Sequence, residues 1–506
     1  MGNNIISIQN PDALDVNDPT YLMIAAQNGN TSQVIKSIID GKDINEPNKQ
    51  GMTALMLAAF YGHTSVVKTL IHFKANVDKI NNNGQTALML AGKSGQKKTV
   101  QVLLKNGANV NWKDREGLTS LIIASQFGHL KTVKCLIDKH AELNEQDRFG
   151  WTALMMALKF GRKQVAQFLV CNQNIDIRLT NNAGHNALMI ASFEGHFDIV
   201  TLILHRDVTL INEKDHQGYT ALMFAAQYNS ASIVKLLLES GASLNCRGKN
   251  DSSALKIATE KGNSTVLKTL LRFACIVRFH GKDSIFNLTY LALENKRTGV
   301  ADLLLNYRCD VNEKTKDGRT LLMSSSKNGL LEIVHILVER GANLNERDIQ
   351  GNTALMFATN ENQKEIIHVL CKKGCNVNQC NQKGWTALMK ACENGNKAVV
   401  DILLSYDNNV NYVNKDCWSP LMIVCKNGHM YIALKLLEHD ANTTIKNSKG
   451  RTAAEIALEN RHNEIYQIIQ EKFANEAENL DEILTRSNNT SSMTIFESDS
   501  EDINNT

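Results

Sequence analysis

Eleven cysteines and fourteen histidines are the side chains of this 506-residue sequence best suited to chemistry, and their spacing decides whether they do any. Cys371, Cys375, Cys380 and Cys392 form the one cysteine cluster. Four thiols could hold zinc, but zinc sites are read from Cys-x-x-Cys pairs or from histidines at ligand spacing, and neither is present. The histidines are scattered. No Gly-rich phosphate loop, kinase signature, nucleophile elbow or His-Glu-x-x-His motif occurs. No catalytic residue, metal or cofactor is therefore expected, and the chain does not read as an enzyme.

What does recur is a threonine. Thr20, Thr53, Thr86, Thr119, Thr152, Asn186, Thr220, Ser253, Asn287, Thr320, Thr353, Thr386, Ser419 and Thr452 succeed one another at 33 or 34 residues. Most open a phrase such as GMTALMLAAFYGH (51–63) or GYTALMFAAQYNS (218–230). A fixed period of this size means a stack of one small unit, in which each unit buries its apolar faces only against its neighbours.

Residues 51–83 show how one unit folds. Thr53 is placed to cap a helix by accepting a first-turn backbone N–H. Leu55, Ala58 and Ala59 then line one helical face, and the two alanines let a neighbouring helix come close. Gly62 supplies the left-handed conformation that ends this helix. Val66, Val67, Leu70 and Ile71 mark a second, antiparallel helix, and Val77 begins an extended turn toward Gly84. The unit is helix, turn, helix, hairpin. The shorter first helix, lined with small residues, predicts a stack that curves with first helices on the concave side.

The pattern resembles the ankyrin repeat. DREGLTSLIIASQFGH (114–129), GHLKTVKCLI (128–137) and NGANVN (106–111) match that family's phrases closely. Two departures are systematic. The family's Pro is Ala in most units, with Pro420 the exception. The family's His is Met at Met23, Met56, Met89, Met155, Met189, Met223, Met323, Met356, Met389 and Met422. A Met stripe at helical spacing reads as inter-repeat core, although Met also lines adaptable binding faces. His63, His129, His196 and His429 fill the family's Gly-His turn, where the resemblance makes them structural. The implied fold is an all-α ankyrin-repeat solenoid of about fourteen units with a concave first-helix face.

The array is expected over 17–473, after a lead-in of 1–16 and before an acidic tail of 474–506. The last unit, from Gly450, is more polar, and Glu455 takes the usual Met place, as suits a capping repeat. The weakest stretch is 272–296; in the two units that meet there, Asp251 and Ile285 replace the hairpin glycines and Ser253 and Asn287 should cap. Arg272, Arg278, His280 and Lys282 make it locally basic. It divides a front from a rear block and reads as a plain degenerate repeat, with a joint or a small site for an acidic partner as the alternatives.

From Phe473 onward eight acidic residues face Arg486 alone, so the tail carries −7 and the remainder +10 of the net +3. Spread over a large array, that charge does not point to nucleic acid. The tail's polar composition predicts disorder, with Ser498 and Thr494 as candidate sites for an acidophilic kinase. No apolar run is long enough to span a membrane. The N-terminus lacks a signal-peptide pattern, and Ile6 stands where N-myristoylation wants Ser or Thr. Scattered cysteines with no secretory signal suggest a reducing compartment, cytoplasmic or nuclear.

Function should then reside in exposed side chains the fold does not need. Those are the hairpin tips, the residue between Gly and Thr, and the pair before the turn that ends the first helix. In the front units these positions hold Phe60, Tyr61, Phe127, Phe149, Trp151, Phe160, Phe193, Tyr219 and Tyr228. In the rear units aromatics return only at the hairpins, as Trp385 and Trp418, with Tyr412 nearby. Large aromatics not required by a core are typical interface anchors. Packing against adjacent hairpins is the alternative for them, and for Trp151 and Trp385 the two readings are balanced. Lys159, Arg148 and Arg115 flank the front positions and would suit a partly acidic peptide. The expected function is a monomeric, non-catalytic scaffold or adaptor holding a protein or peptide along the concave groove. The rivals are a ubiquitin-ligase substrate receptor, for which no box motif follows the repeats, and an inhibitor that masks a transcription factor or other regulatory protein.

Overall fold

The computed structural model describes residues 21–274, 284–307, 309–472 and 474. The lead-in 1–16, Thr20, the basic residues Arg278, His280 and Lys282, the tail beyond Ala474, and Thr494 and Ser498 lie outside the described residues. The chain divides into two compact units, Met1–Phe279 and His280–Thr506.

Among the described residues the first unit holds eight helix pairs, from Tyr21–Gln27 with Thr31–Ile39 to Ala254–Lys261 with Ser264–Ala274. The second holds six, from Ile285–Glu294 with Thr298–Leu305 to Ala453–Glu459 with a helix over 463–472. Within each unit, first helices pack on the first helices of adjacent repeats, second helices on second, and each first helix on its own partner. The only extended pairing among the described residues is a bridge between Gly248 and Ser252. This is an all-α repeat solenoid.

The helices begin where the recurring hydroxyl residue predicts. Thr53, Thr86, Thr119, Thr152, Thr320, Thr353 and Thr386 each sit in extended backbone and accept the amide three residues on. Asn186 does so at 3.0 Å from Met189. Thr220 keeps the backbone shape but makes no side-chain cap bond, and its hydroxyl is buried without a partner. Asn287 is not a cap. The helix starts three residues earlier at Ile285, capped by Ser284, whose hydroxyl accepts the Asn287 amide at 3.2 Å. The reason is Ile285, which occupies the hairpin-glycine place; a β-branched residue cannot take positive φ there, so the chain stays helical.

The hairpins are coupled to each other. In the first unit the Asn82 amide donates to the Gln50 carbonyl, and the same bond recurs down the stack to Lys249 and Gln217 at 2.7 Å. In the second unit the ladder runs from Ile349 and Asp317 to Ser448 and Asp416. Close approach explains the hairpin glycine. A Cβ on Gly51 would stand 2.7 Å from the Asn82 nitrogen, and φ is +77°. Asp251 and Cys417 adopt that left-handed conformation without glycine, at φ 58° and 59°. Three residues before most of these hairpin positions, an Asn or Asp such as Asn81, Asp114, Asp147 or Asn414 turns its side chain back. It accepts amides two and four residues on.

A second ladder ties the loops after the second helices. Asn45 accepts the Asn76 amide, Asp78 that of Asn109, Asn111 that of Glu142, and Asn144 that of Asp176. Asn312, Asn345, Asn378 and Asn411 repeat the contact in the second unit at 2.7–2.8 Å. Each such bond contributes about 0.5–1.5 kcal/mol. Histidine at the Gly-His turn supplies a third tie. The ring Nε2 of His63, His129 and His196 lies 2.8–2.9 Å from the carbonyls of Gln27, Lys93 and Leu158 in the preceding repeat.

The ten methionines at the family's His place are all within 2% of complete burial, among them Met89, Met389 and Met422 at 0%. They are inter-repeat core. Burying one such side chain contributes about 1.5–3 kcal/mol, and nothing of the stripe is left on the surface to bind. Glu455, at the end of the series, is exposed and closes a capping box with Thr452.

Candidate binding surface of first helices and hairpins

Three features of each repeat position the predicted side chains: the first helix, the turn that ends it, and the hairpin before its cap. Tyr61, Phe149, Phe160 and Tyr228 are exposed at 37%, 38%, 41% and 49%. Phe60, Phe127, Trp151, Phe193, Tyr219, Trp385 and Trp418 are half-buried.

In the first unit the aromatics fall into local groups. Phe60 meets Tyr61 edge-on at 5.2 Å between ring centres. Phe127 stacks on His129 at 6.4 Å, and the Lys93 ammonium stands 5.7 Å from its ring centre. Lys159 lies 4.3 Å from the centre of Trp151 and 5.8 Å from that of Phe160. The hairpin-tip Phe149 carries the Arg148 guanidinium at 4.6 Å, and Arg148 also pairs with Glu116 of the preceding hairpin. Arg148 is therefore already satisfied.

Phe193, Tyr219 and Tyr228 come together. Phe193 and Tyr228, from successive repeats, approach to 3.8 Å between ring centres. Phe224 fills the space beneath, 5.9 Å from Phe193, 6.0 Å from Tyr219 and 5.1 Å from His185. Phe224 and His185 are missing from the sequence-based set. His185 was findable, since it occupies the hairpin position of Trp151 and Tyr219. Phe224 sits where other units place buried aliphatics, and only its packing reveals it. His185 also lies 3.2 Å from the Asp215 carboxylate. Burial nevertheless outweighs that charge and draws the imidazole below its ordinary pKa. Burial raises the pKa of the neighbouring Glu194 carboxyl and, together with Glu194, that of the Tyr228 phenol.

In the second unit Trp385 lies 4.4 Å below Lys390 and Trp418 5.6 Å below Lys426, each lysine coming from the first helix that follows the hairpin. Arg319 lies 5.5 Å from Phe357, a contact the sequence reading did not name. Tyr412 donates to the Cys380 sulfur at 3.0 Å. Trp112 is half-buried, its indole N–H donating to the Gly84 carbonyl of the preceding hairpin at 3.1 Å.

Cys392 and Cys425 are not poised for nucleophilic work. Cys371, Cys375, Cys392 and Cys425 are buried. Burial pushes the Cys425 thiol up to about 12 and the Cys392 thiol higher, whereas reactive cysteines have depressed pKa values. Among the described residues no group of three or more His, Cys, Asp or Glu could hold a metal ion. No described helix is long and apolar enough to cross a membrane.

This architecture of capped helix pairs, Asx-turn hairpins and inter-repeat ladders defines a class of stacked interaction modules. The family model described as "Ankyrin repeats (3 copies)" matches residues 22–114, 121–212, 207–283, 279–348, 345–414, 367–447 and 407–479. The chain belongs to the ankyrin-repeat family. Ankyrin repeats are generally protein–protein interaction modules, and proteins built from them are typically non-enzymatic. No curated protein matches the chain.

Proposed function

We propose that this protein is a non-catalytic scaffold or adaptor that binds a protein or peptide. Its main contact is the first-helix and hairpin surface of the first unit, and Trp385 and Trp418 provide a second contact in the other. The observation that carries this reading is the exposure of Tyr61, Phe160 and Tyr228 at helix-end positions where the second unit has Asn328, Glu361, Asn394 and Asn427. The repeat folds equally well with either set, so the aromatics are not required by the core. Aromatic anchors held on a rigid frame bind with little ordering cost on the frame's side. The protein acts as a monomer in the cytoplasm or nucleus.

The test is affinity purification with the full chain and with a variant carrying Phe60→Ala, Tyr61→Ala, Phe160→Ala and Tyr228→Ala. Loss of the specific co-purifying protein, with the thermal midpoint within a few degrees, is the expected result. Retention of that protein at unchanged yield would reject the first-unit surface.

A further inference from the structure

Two cations on the first unit's aromatic surface, Lys93 and Lys159, have no ion-pair partner among the described residues. Lys93 and Lys159 both end first helices, two repeats apart, and neither forms an ion pair with any described carboxylate. Each is held over aromatic rings instead, Lys93 over Phe127 and Lys159 over Trp151 and Phe160. The negative ends of their helices offset part of each charge. Asp147 and Glu194 lie near enough for their fields to reach Lys159, but neither pairs with it. Lys93 is half-buried, and that burial disfavours its ammonium form. Arg148 differs in having Glu116 as its own partner.

The backbone around Lys93 is tied to its neighbours. The Lys93 carbonyl is bonded to His129, on which Phe127 stacks, and the Ser94 hydroxyl donates to the Phe60 carbonyl at 2.6 Å. Two cations set over aromatic rings, without ion-paired carboxylates among the described residues, complement an anionic ligand with apolar groups between its charges. Stacked helices lie about 8–10 Å apart, so two repeats separate the lysines by roughly 20 Å. An extended chain covers that distance in about six residues.

We infer that the ligand of this surface is an extended acidic peptide segment, with two Asp or Glu side chains about six residues apart seated on Lys93 and Lys159. Apolar side chains between them meet Phe127 and Phe160. This rests on the proposed first-unit surface and specifies its partner.

The probe is a random library of 16-residue peptides displayed on phage and selected on the full-length protein. Enriched sequences should carry paired acidic residues spaced by five to seven positions, roughly the lysine separation divided by the rise of an extended chain. A synthetic peptide from that set should bind at least about tenfold more weakly to the Lys93→Gln/Lys159→Gln protein. Its Gln-substituted counterpart should bind the wild type equally weakly, and the Lys93→Arg/Lys159→Arg protein should retain affinity. Raising the salt concentration should weaken binding.

Enriched peptides without paired acids, or affinities indifferent to lysine replacement, would overturn the inference. If those peptides are still lost on Tyr61→Ala/Phe160→Ala, the aromatic surface stands and only its acidic partner falls. If neither pair of substitutions matters, or nothing is enriched, both readings fall. Competition by a 16-nucleotide single strand at comparable affinity would also overturn the inference, since the site would then read phosphate.

Discussion

Met389 shows what a single position contributes to this fold. It is fully buried where the family places a polar His, so removing its side chain opens a cavity between first helices. Met389→Ala should cost about 2–5 kcal/mol, visible as lost hydrogen-exchange protection in the helices Ala354–Asn360, Ala387–Asn394 and Pro420–Asn427. Asn411 ties itself to the next repeat twice, its side-chain nitrogen donating to the Asp440 carbonyl at 3.1 Å and its side-chain oxygen accepting the Asn442 amide at 2.7 Å. Asn411→Ala leaves that amide to water and should cost about 1 kcal/mol in chemical denaturation. His185 provides a pH dependence. Its folded pKa lies below the ordinary 6.5, so the folded state binds the proton less well than the unfolded one. Its contribution is whole above about pH 6.5 and is lost as the pH falls through the folded value. Denaturant midpoints should fall as the pH drops below about 6.5, and His185→Gln should flatten that slope.

At the scale of the element, the caps separate neighbours of identical sequence type. The Thr86 hydroxyl accepts the Met89 amide, whereas the Thr220 hydroxyl is buried and accepts nothing. Thr86→Ala should therefore cost about 1 kcal/mol, while Thr220→Val should be neutral or stabilising, both read from thermal midpoints. Helix starts and ends were legible because one hydroxyl and one glycine state them locally. Departures came where the local signal was ambiguous. Asp251 and Cys417 hold the left-handed hairpin conformation without glycine, whereas Ile285 cannot and lengthens its helix back to Ser284. The Asn45–Asn76 type of ladder was hidden for another reason: its partners lie 31 residues apart, and only stacking brings them together. For the candidate surface, exposed positions such as Tyr61 and Tyr228 followed from the repeat register. The grouping of Phe193, Phe224 and Tyr228 did not, because it depends on ring orientations across a repeat boundary. That Lys93 has no ion-pair partner among the described residues was equally a matter of three-dimensional placement.

At the scale of the whole molecule, repetition means that each repeat touches only its neighbours, so stability is approximately a sum of repeat and interface contributions. A core substitution should consequently act over short range. Met89→Ala should lower protection in the helices Ala54–Tyr61, Ala87–Lys93 and Ser120–Phe127 and leave Ala221–Gln227 unchanged, which site-resolved hydrogen exchange can show. Equal loss of protection along all eight first helices of the first unit would contradict a nearest-neighbour array.

The loop ladder also has a mechanical consequence. Because most described repeats within a unit are fastened to the next by the same few bonds, a pull on the ends of either unit loads similar joints in series, and the weakest peels away before the others. Each release frees 33 or 34 residues, or about 110 Å of extended chain. Stretched in an optical trap, the protein should lengthen in even steps like a measured tape.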